Sequence, residues 1–440
     1  MKKKLYKHGI TRFSGVRNIF RSLRYRNYRL FFAGQSLSLI GTWIQRIAIP
    51  WLVYRLTGSA FLLGFVGFAG QLPTFLLAPF AGVLSDRWNR YHTLIITQVL
   101  SMLQALALAL LYFTNNIEVW NILLLSIIQG CINALDTPVR QSFLVEMVES
   151  KNDLGNAIAL NSSMFNGARL VGPSIAGVLI ASLGEGGCFL INGISFVFVV
   201  VSLLLMKIKP QELNKKETNI MKEFKEGFTY TFGFMPIRYI ILLLALISLM
   251  GMPYTVLMPV FAKDIFHGDS HTFGFLMAAS GVGALVAATY LASRKTVLGL
   301  ERIIPLAAAV FGVGLVAFSL SSNLLLSVIL MVITGMGMLM QTASSNTILQ
   351  TIADNDKRGR VMSFYTMAFM GTAPFGSFMA GSLASLIGAP GTLIFGGIAC
   401  VAGAIVFARR LPCIIEQVQP VYTRLGLIDD CLDKPEKTDS

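Results

Sequence analysis

Gly187-Cys188-Phe189-Leu190-Ile191-Asn192-Gly193-Ile194-Ser195-Phe196-Val197-Phe198-Val199-Val200-Val201-Ser202-Leu203-Leu204-Leu205-Met206 contains no charged residue. As a helix rising about 1.5 Å per residue, a run of roughly 20 residues crosses a hydrocarbon core of about 30 Å. Directly after it the character reverses. The stretch 207–236 carries Lys215, Lys216, Glu217, Lys222, Glu223, Lys225 and Glu226. Further apolar runs lie near 30–54, 61–84, 93–113, 119–139, 156–183, 237–261, 273–292, 302–321, 324–346, 361–387 and 391–410. Of the 440 residues 54% are hydrophobic and 13% charged, about half the charged share of a soluble domain. The composition is that of a chain dissolved in lipid.

The net charge of +14 is the kind of surplus that nucleic-acid binders show, but its placement points elsewhere. Residues 1–29 hold Lys2, Lys3, Lys4, Lys7, Arg12, Arg17, Arg21, Arg24, Arg26 and Arg29 and no acid, directly before the first span. Every second connection repeats the signal, with Arg87 and Arg90, Arg140 and Lys151, the Lys-rich stretch 207–225, Arg294 and Lys295, Lys357 to Arg360, and Arg409 and Arg410. Alternate loops carry little beyond Arg55 and Lys263. Lys and Arg mark cytoplasmic loops, so an even number of spans with both termini cytoplasmic is expected, and no nucleic-acid partner. No apolar core with a cleavage site stands close to the start, and the first span is expected to stay as a helix. The five cysteines show no disulfide or metal spacing.

The long hydrophilic interruption divides six spans from six. The expected organisation is a basic segment 1–29, a six-helix bundle 30–206, a cytoplasmic linker 207–236, a second bundle 237–410 and a polar cytoplasmic tail 411–440. Within the linker, Phe224, Phe228, Tyr230 and Phe232 among charges predict a helix lying on the membrane surface. The halves resemble each other. Pro50 and Pro259 fall at an offset of 209, Gly64 and Gly274 at 210, and Gly130 and Gly335 at 205. Gly167 answers Gly371, and Ala176-Gly177-Val178-Leu179 answers Ala380-Gly381-Ser382-Leu383, both at 204. Several matches in register favour duplication, the usual construction of transporters around a site near the midplane. The fold class is therefore an all-α membrane protein of twelve transmembrane helices in two pseudo-symmetric six-helix bundles. Pro50, Pro73, Pro79, Pro173, Pro253 and Pro374 lie inside spans, where they allow kinks.

Between spans two and three stands Gly82-Val83-Leu84-Ser85-Asp86-Arg87-Trp88-Asn89-Arg90-Tyr91-His92. It resembles the signature loop of the major facilitator superfamily, a Gly, then Asp-Arg, then Gly and a basic run. Asn89 stands where the family has Gly, and Tyr91 and His92 where it often has basic residues. The resemblance makes Gly82, Asp86, Arg87 and Arg90 a gating motif, with Asp86 directed at the N-terminus of span eleven around Gly359 to Met362, where a helix dipole favours an anion.

Spans four and five read Ala134-Leu135-Asp136-Thr137-Pro138-Val139-Arg140-Gln141-Ser142-Phe143, then Asn156-Ala157-Ile158-Ala159-Leu160-Asn161-Ser162, then Ala168-Arg169-Leu170-Val171-Gly172-Pro173. With Arg358-Gly359-Arg360-Val361-Met362-Ser363, they are similar to the subfamily that holds the enterobactin exporter and macrolide and multidrug efflux proteins. The resemblance covers 20–410. Gly167, Gly172, Pro173 and Gly177 look like the antiporter motif of the fifth helix, without its long upstream glycine spacing, and favour export.

Ionisable residues inside spans are costly and therefore functional candidates. Arg46, Asp136 and Arg169 are the clear cases. Asp136 shares a helix face with Gln129, Asn133 and Arg140 at i, i+4, i+7 and i+11. Span ten offers Thr334, Met338, Gln341 and Ser345 at the same spacing, and span one Gln35, Ser38, Thr42 and Gln45 beside Arg46. The resemblance implies that spans one, four, seven and ten line a central cavity. Gln35, Gln45, Arg46, Gln129, Asn133, Asp136, Arg169 and Gln341 are thus the candidates for a substrate or proton pathway, against interhelical hydrogen bonding worth about 0.6 kcal/mol each in membranes. Asp136 and Arg169 are expected to pair. His267 and His271 flank Asp269 in one loop, weak ground for a metal site, and no metal or other cofactor is expected.

The reading is a monomeric, multi-pass secondary transporter of the cytoplasmic (inner) membrane that exports small molecules such as a siderophore or drug by alternating access, coupled to protons. No phosphate-cradling loop for ATP is present. A facilitator, an importer and a lipid flippase share the fold. A polytopic membrane enzyme would need His, Asp or Cys clustered at one face, and the sequence supplies none.

Overall fold

The computed structural model describes residues 20–85, 88–148, 150–208, 220–294, 296–354 and 357–428. Asp86 and Arg87 lie outside the described residues. The described elements are helical throughout. Four helices come first: α1 Arg26–Thr57, α2 Ala60–Ser85, α3 Arg90–Phe113 and α4 Val119–Glu146. The next helix, Lys151–Leu204, is broken at Gly184 with φ 72°, a conformation open to glycine at no steric cost. Its arms are α5 (151–183) and α6 (185–204). After α7 (Ile220–Gly233), α8 spans 235–265 and alternates α-helical Met235–Leu246 and Tyr254–Val260 with the π-turns Ile247–Gly251 and Phe261–Ile265. Then come α9 Ser270–Ser293, α10 Leu300–Leu320 and α11 Leu324–Ile352. The last pair, α12 (358–387) and α13 (389–424), is separated by Gly388 with φ 78°. α12 carries its own π-turn, Met367–Gly371.

Among the described residues nine helices are long and apolar enough to cross a membrane. The surface fits that solvent. Leu325 is 72% and Leu386 80% exposed, which water would penalise and lipid does not. α1, with Gln35, Gln45 and Arg46 in its middle, is not among the nine.

Polar contacts tie the two ends of the helices. At the basic end, Ser22 of the segment before α1 bonds to α5 through Asp153 O (3.0 Å) and Asn156 Oδ1 (2.8 Å). Arg21 and Arg24 both reach the Asp153 carboxylate at 2.5 Å. Hydrogen bonding to Tyr25 first, and then the Asp153 charge, hold the Arg24 guanidinium above its ordinary range. Asn27 donates to Lys207 O (2.8 Å). At the opposite end Arg55 of α1 pairs with Glu185 of α6 at 2.9 Å, and Tyr112 of α3 donates to the same carboxylate at 2.9 Å.

The first six helices meet α8–α13 chiefly at the end opposite the basic one. α2 crosses α12 at glycine: a Cβ on Gly64 would stand 2.5 Å from Ser377 O and 2.6 Å from Gly381 Cα. α5 crosses α9 in the same manner, with a Cβ on Gly177 2.5 Å from Gly274 Cα. Only glycine lets backbones approach so closely in a membrane. Nearby, Trp51 of α1 stacks on Phe273 of α9 at 5.6 Å, and the Tyr54 hydroxyl donates to Asp264 of α8. Toward the basic end the contacts thin. Phe75 of α2 still touches Phe375 and Gly371 of α12, but a Cβ on Gly155, Gly167 or Gly359 meets nothing within 4 Å.

Two stretches outside the bundles are held by protein contacts. α7 packs on α12. Phe228 and Phe232 meet Phe364 of α12 at 6.1 and 6.0 Å, Glu226 pairs with Arg360 at 2.8 Å, and the Tyr230 hydroxyl reaches Asp354 at 3.0 Å. α13 also continues past 410 to Arg424, with Ile414, Val418 and Tyr422 buried at i, i+4 and i+8. That spacing places them on one helix face.

Candidate substrate cavity

Arg46 stands in the middle of α1 and yet is exposed. Its guanidinium lies 5.0 Å from the Trp43 ring and feels the like charges of Arg140 on α4 and Arg169 on α5. An exposed side chain among three helices lines an internal, water-accessible space. Arg46 and Arg169, which lie in predicted hydrocarbon, would each cost about 2.5–3.5 kcal/mol on insertion scales unless paired or wetted, and Arg140 stands at the end of its span. Only one finds a carboxylate. Arg140 sits 3.5 Å from Asp136 Oδ2, one helical turn away, and 4.5 Å over the Phe165 ring.

Asp136 is buried and held from α3, its Oδ1 accepting from Thr97 Oγ1 (3.0 Å) and Gln98 Nε2 (2.7 Å). The expected Asp136–Arg169 pair is therefore corrected to Asp136–Arg140. The i+4 neighbour reaches the carboxylate without leaving its own helix, whereas Arg169 looks across to the other six helices. Its electrostatic neighbours are Tyr254 of α8 and Tyr365 of α12. Tyr254 shares a hydrogen bond with Ser280 Oγ (2.7 Å), and Tyr365 donates to Thr342 O (3.3 Å). Sequence reasoning missed both tyrosines. Tyr254 stands 209 residues after Gln45, so carrying the polar stripe of span one across the repeat reaches it.

The other candidates distribute as follows. Gln45 bonds to Gln104 of α3 (3.0 Å) and accepts from Asn192 of α6 (2.8 Å), joining three helices. Gln129 donates to Ser101 (3.3 Å) and to Asn133 (3.1 Å), close to the Asp136 face. Gln341 donates to Ser345 (3.2 Å), while its Oε1 and that of Gln35 are buried without a partner. Of the fifth-helix motif, Gly172 packs on Trp43, Gly177 makes the α9 crossing, Pro173 lies within α5, and Gly167 faces open space. Of the loop motif, Gly82 ends α2, and Arg90 opens α3 and pairs with Glu146 at 2.8 Å. Asp269 caps α9 by accepting from the backbone of His271 (2.9 Å) and Thr272 (3.3 Å), the ordinary work of an N-cap aspartate.

A family model described as transmembrane secretion effector matches residues 18–423. The staphyloferrin A transporter of Staphylococcus aureus (strain NCTC 8325 / PS 47) is 27% identical over 393 residues, 88% of this chain and 98% of that one. The multidrug efflux pump Tap of Mycolicibacterium fortuitum is 24% identical over 364 residues, 80% of this chain and 88% of its own. Among solved structures, a bacterial homolog of the human lysosomal transporter Spinster, inward-facing and unoccupied, matches with a TM-score of 0.67 at 16% identity, covering 91% of this chain and 98% of that one.

Proposed function

Because the chain belongs to the transmembrane secretion effector family of the major facilitator superfamily, whose efflux-type members export small molecules, we propose that it moves its cargo out of the cytoplasm by alternating access. In this reading twelve helices cross the membrane as two related six-helix bundles, the basic end faces the cytoplasm, and the arginine-lined space between the bundles is the cargo site. The observation that carries it is the contrast between the two ends. Glycine crossings, a stacked aromatic pair and the Tyr54–Asp264 bond join the halves at one end, while Arg46 is exposed and Gly155, Gly167 and Gly359 face open space toward the other. Such a molecule is loaded from the cytoplasm and must rock to release outward.

Proton coupling is the finer part of the proposal, and Asp136 is its residue. Protonating the carboxylate removes the counter-charge of Arg140, so that the charge of the site, and with it the affinity for a charged cargo, changes with the proton. Uptake into everted membrane vesicles tests it, with and without a proton gradient, on a panel of siderophores and drugs. Export requires accumulation that a protonophore abolishes and that Asp136→Asn makes independent of the gradient. Accumulation unaffected by both would leave a facilitator.

A further inference from the structure

The cavity carries more positive charge than the protein neutralises. Arg46, Arg140 and Arg169 share one electrostatic environment, and among the described residues the acid in contact with them is Asp136, on Arg140. Among the described residues neither Arg46 nor Arg169 has an ion-pair partner. Asp136 cannot swing to serve them, because Thr97 and Gln98 hold its other oxygen. The remaining acids of these helices are engaged at the ends: Glu185 with Arg55, Asp153 with Arg21 and Arg24, Glu146 with Arg90. Three guanidiniums less one carboxylate leave a formal charge of +2 around this space among the described residues. The two free cations are also held in place. Trp43 lies beside the Arg46 guanidinium at 5.0 Å, and Tyr254 and Tyr365 of the second half stand by Arg169.

We propose that this cavity binds polyanionic organic compounds, with at least two oxyacid groups per molecule, one taken by Arg46 and one by Arg169. A planar guanidinium matches a carboxylate or phosphate with two parallel hydrogen bonds, and a cation entering the same space meets like charge. Arg169 interacts electrostatically with Tyr254 and Tyr365 of the second half, so an anion held by it lies between the two halves. The inference rests on the exporter reading for the direction of movement but not for binding.

The test is binding to the purified full chain in nanodiscs at low ionic strength, followed by calorimetry and by the fluorescence of Trp43. Probes are citrate, glutarate, butyrate, fructose 1,6-bisphosphate and tetraphenylphosphonium. Multivalent acids are expected to bind at least tenfold tighter than butyrate, with no binding of the phosphonium cation. Arg46→Gln and Arg169→Gln should each weaken binding about tenfold, and the lysine variants should recover part of it; each variant is first shown to be monodisperse. Citrate without the bisphosphate assigns carboxylate as the oxyacid, and the reverse assigns phosphate. The proposal is overturned if no multivalent acid binds, or if the glutamine variants bind as the wild type does. Everted vesicles that export the phosphonium cation equally well with either glutamine variant would remove the anion assignment and leave the exporter reading. Acid binding intact without gradient-driven movement would do the opposite.

Discussion

Gly64 and Gly177 show what one missing side chain does. Each faces backbone of the other half at a distance no Cβ can occupy, and backbone cannot move aside as a flexible side chain does. Gly64→Val and Gly177→Val should prevent that end from closing. Transport should fall at least tenfold, and a cysteine placed at Ser59 should label faster than in the parent chain. Tyr54→Phe is a gentler probe of the same closure. It removes the hydrogen bond to Asp264, and such a bond to a charged group is worth about 1.5–3 kcal/mol, so the closed population should fall roughly tenfold or more, read from distances between spin labels at residues 57 and 387. Single residues were legible where cost alone marks them: Arg46, Asp136 and Arg169 stand out as charges in apolar runs. Their partners were not, since Tyr254 and Tyr365 approach Arg169 only once two distant segments are folded together. Arg140 was visible on the Asp136 face, yet the pairing was read across helices instead of along one.

At the scale of elements, α7 and the end of α13 are where pattern and placement part company. An aromatic stripe on a charged helix can be covered by lipid or by protein, and the sequence does not say which. Here Phe364 and Arg360 of α12 receive it. Phe364→Ala with Arg360→Ala should release α7, which would appear as several-fold faster trypsin cleavage within 215–225. The end of α13 runs into the charged stretch 429–440, whose polarity outweighs three well-spaced apolar residues in the pattern. Ile414→Ala should cost about 2–5 kcal/mol as a buried truncation and lower the thermal midpoint by several degrees. Two of the prolines follow irregular turns, while Pro50 and Pro173 lie inside helices with no break at them. π-turns end two residues before Pro253 and three before Pro374, as expected where a ring interrupts the ladder.

For the whole molecule, the repeat was only partly visible. Two glycine matches at offset 204 stood out, but Gly155, Gly172, Gly184, Gly187 and Gly193 also recur at Gly359, Gly376, Gly388, Gly391 and Gly397. Their meaning emerges with the helices in place: Gly184 and Gly388 both make the sharp break between paired helices, and Gly130 packs on Gly70 as Gly335 packs on Ser280, 210 residues further on. The halves are joined by contacts that need no covalent linker. Chains 1–212 and 213–440, co-expressed, should therefore copurify and retain transport within several-fold of the intact protein; failure to associate would assign the linker a structural role. The two crossings between the halves carry one more implication. Gly64 against Gly381 and Gly274 against Gly177 are, under the repeat offsets of 210 and 204, the same contact with its members exchanged. That is the signature of an isologous interface, in which one patch meets its own copy. Each crossing thus repeats the other with its members exchanged, so that one self-complementary surface serves at both.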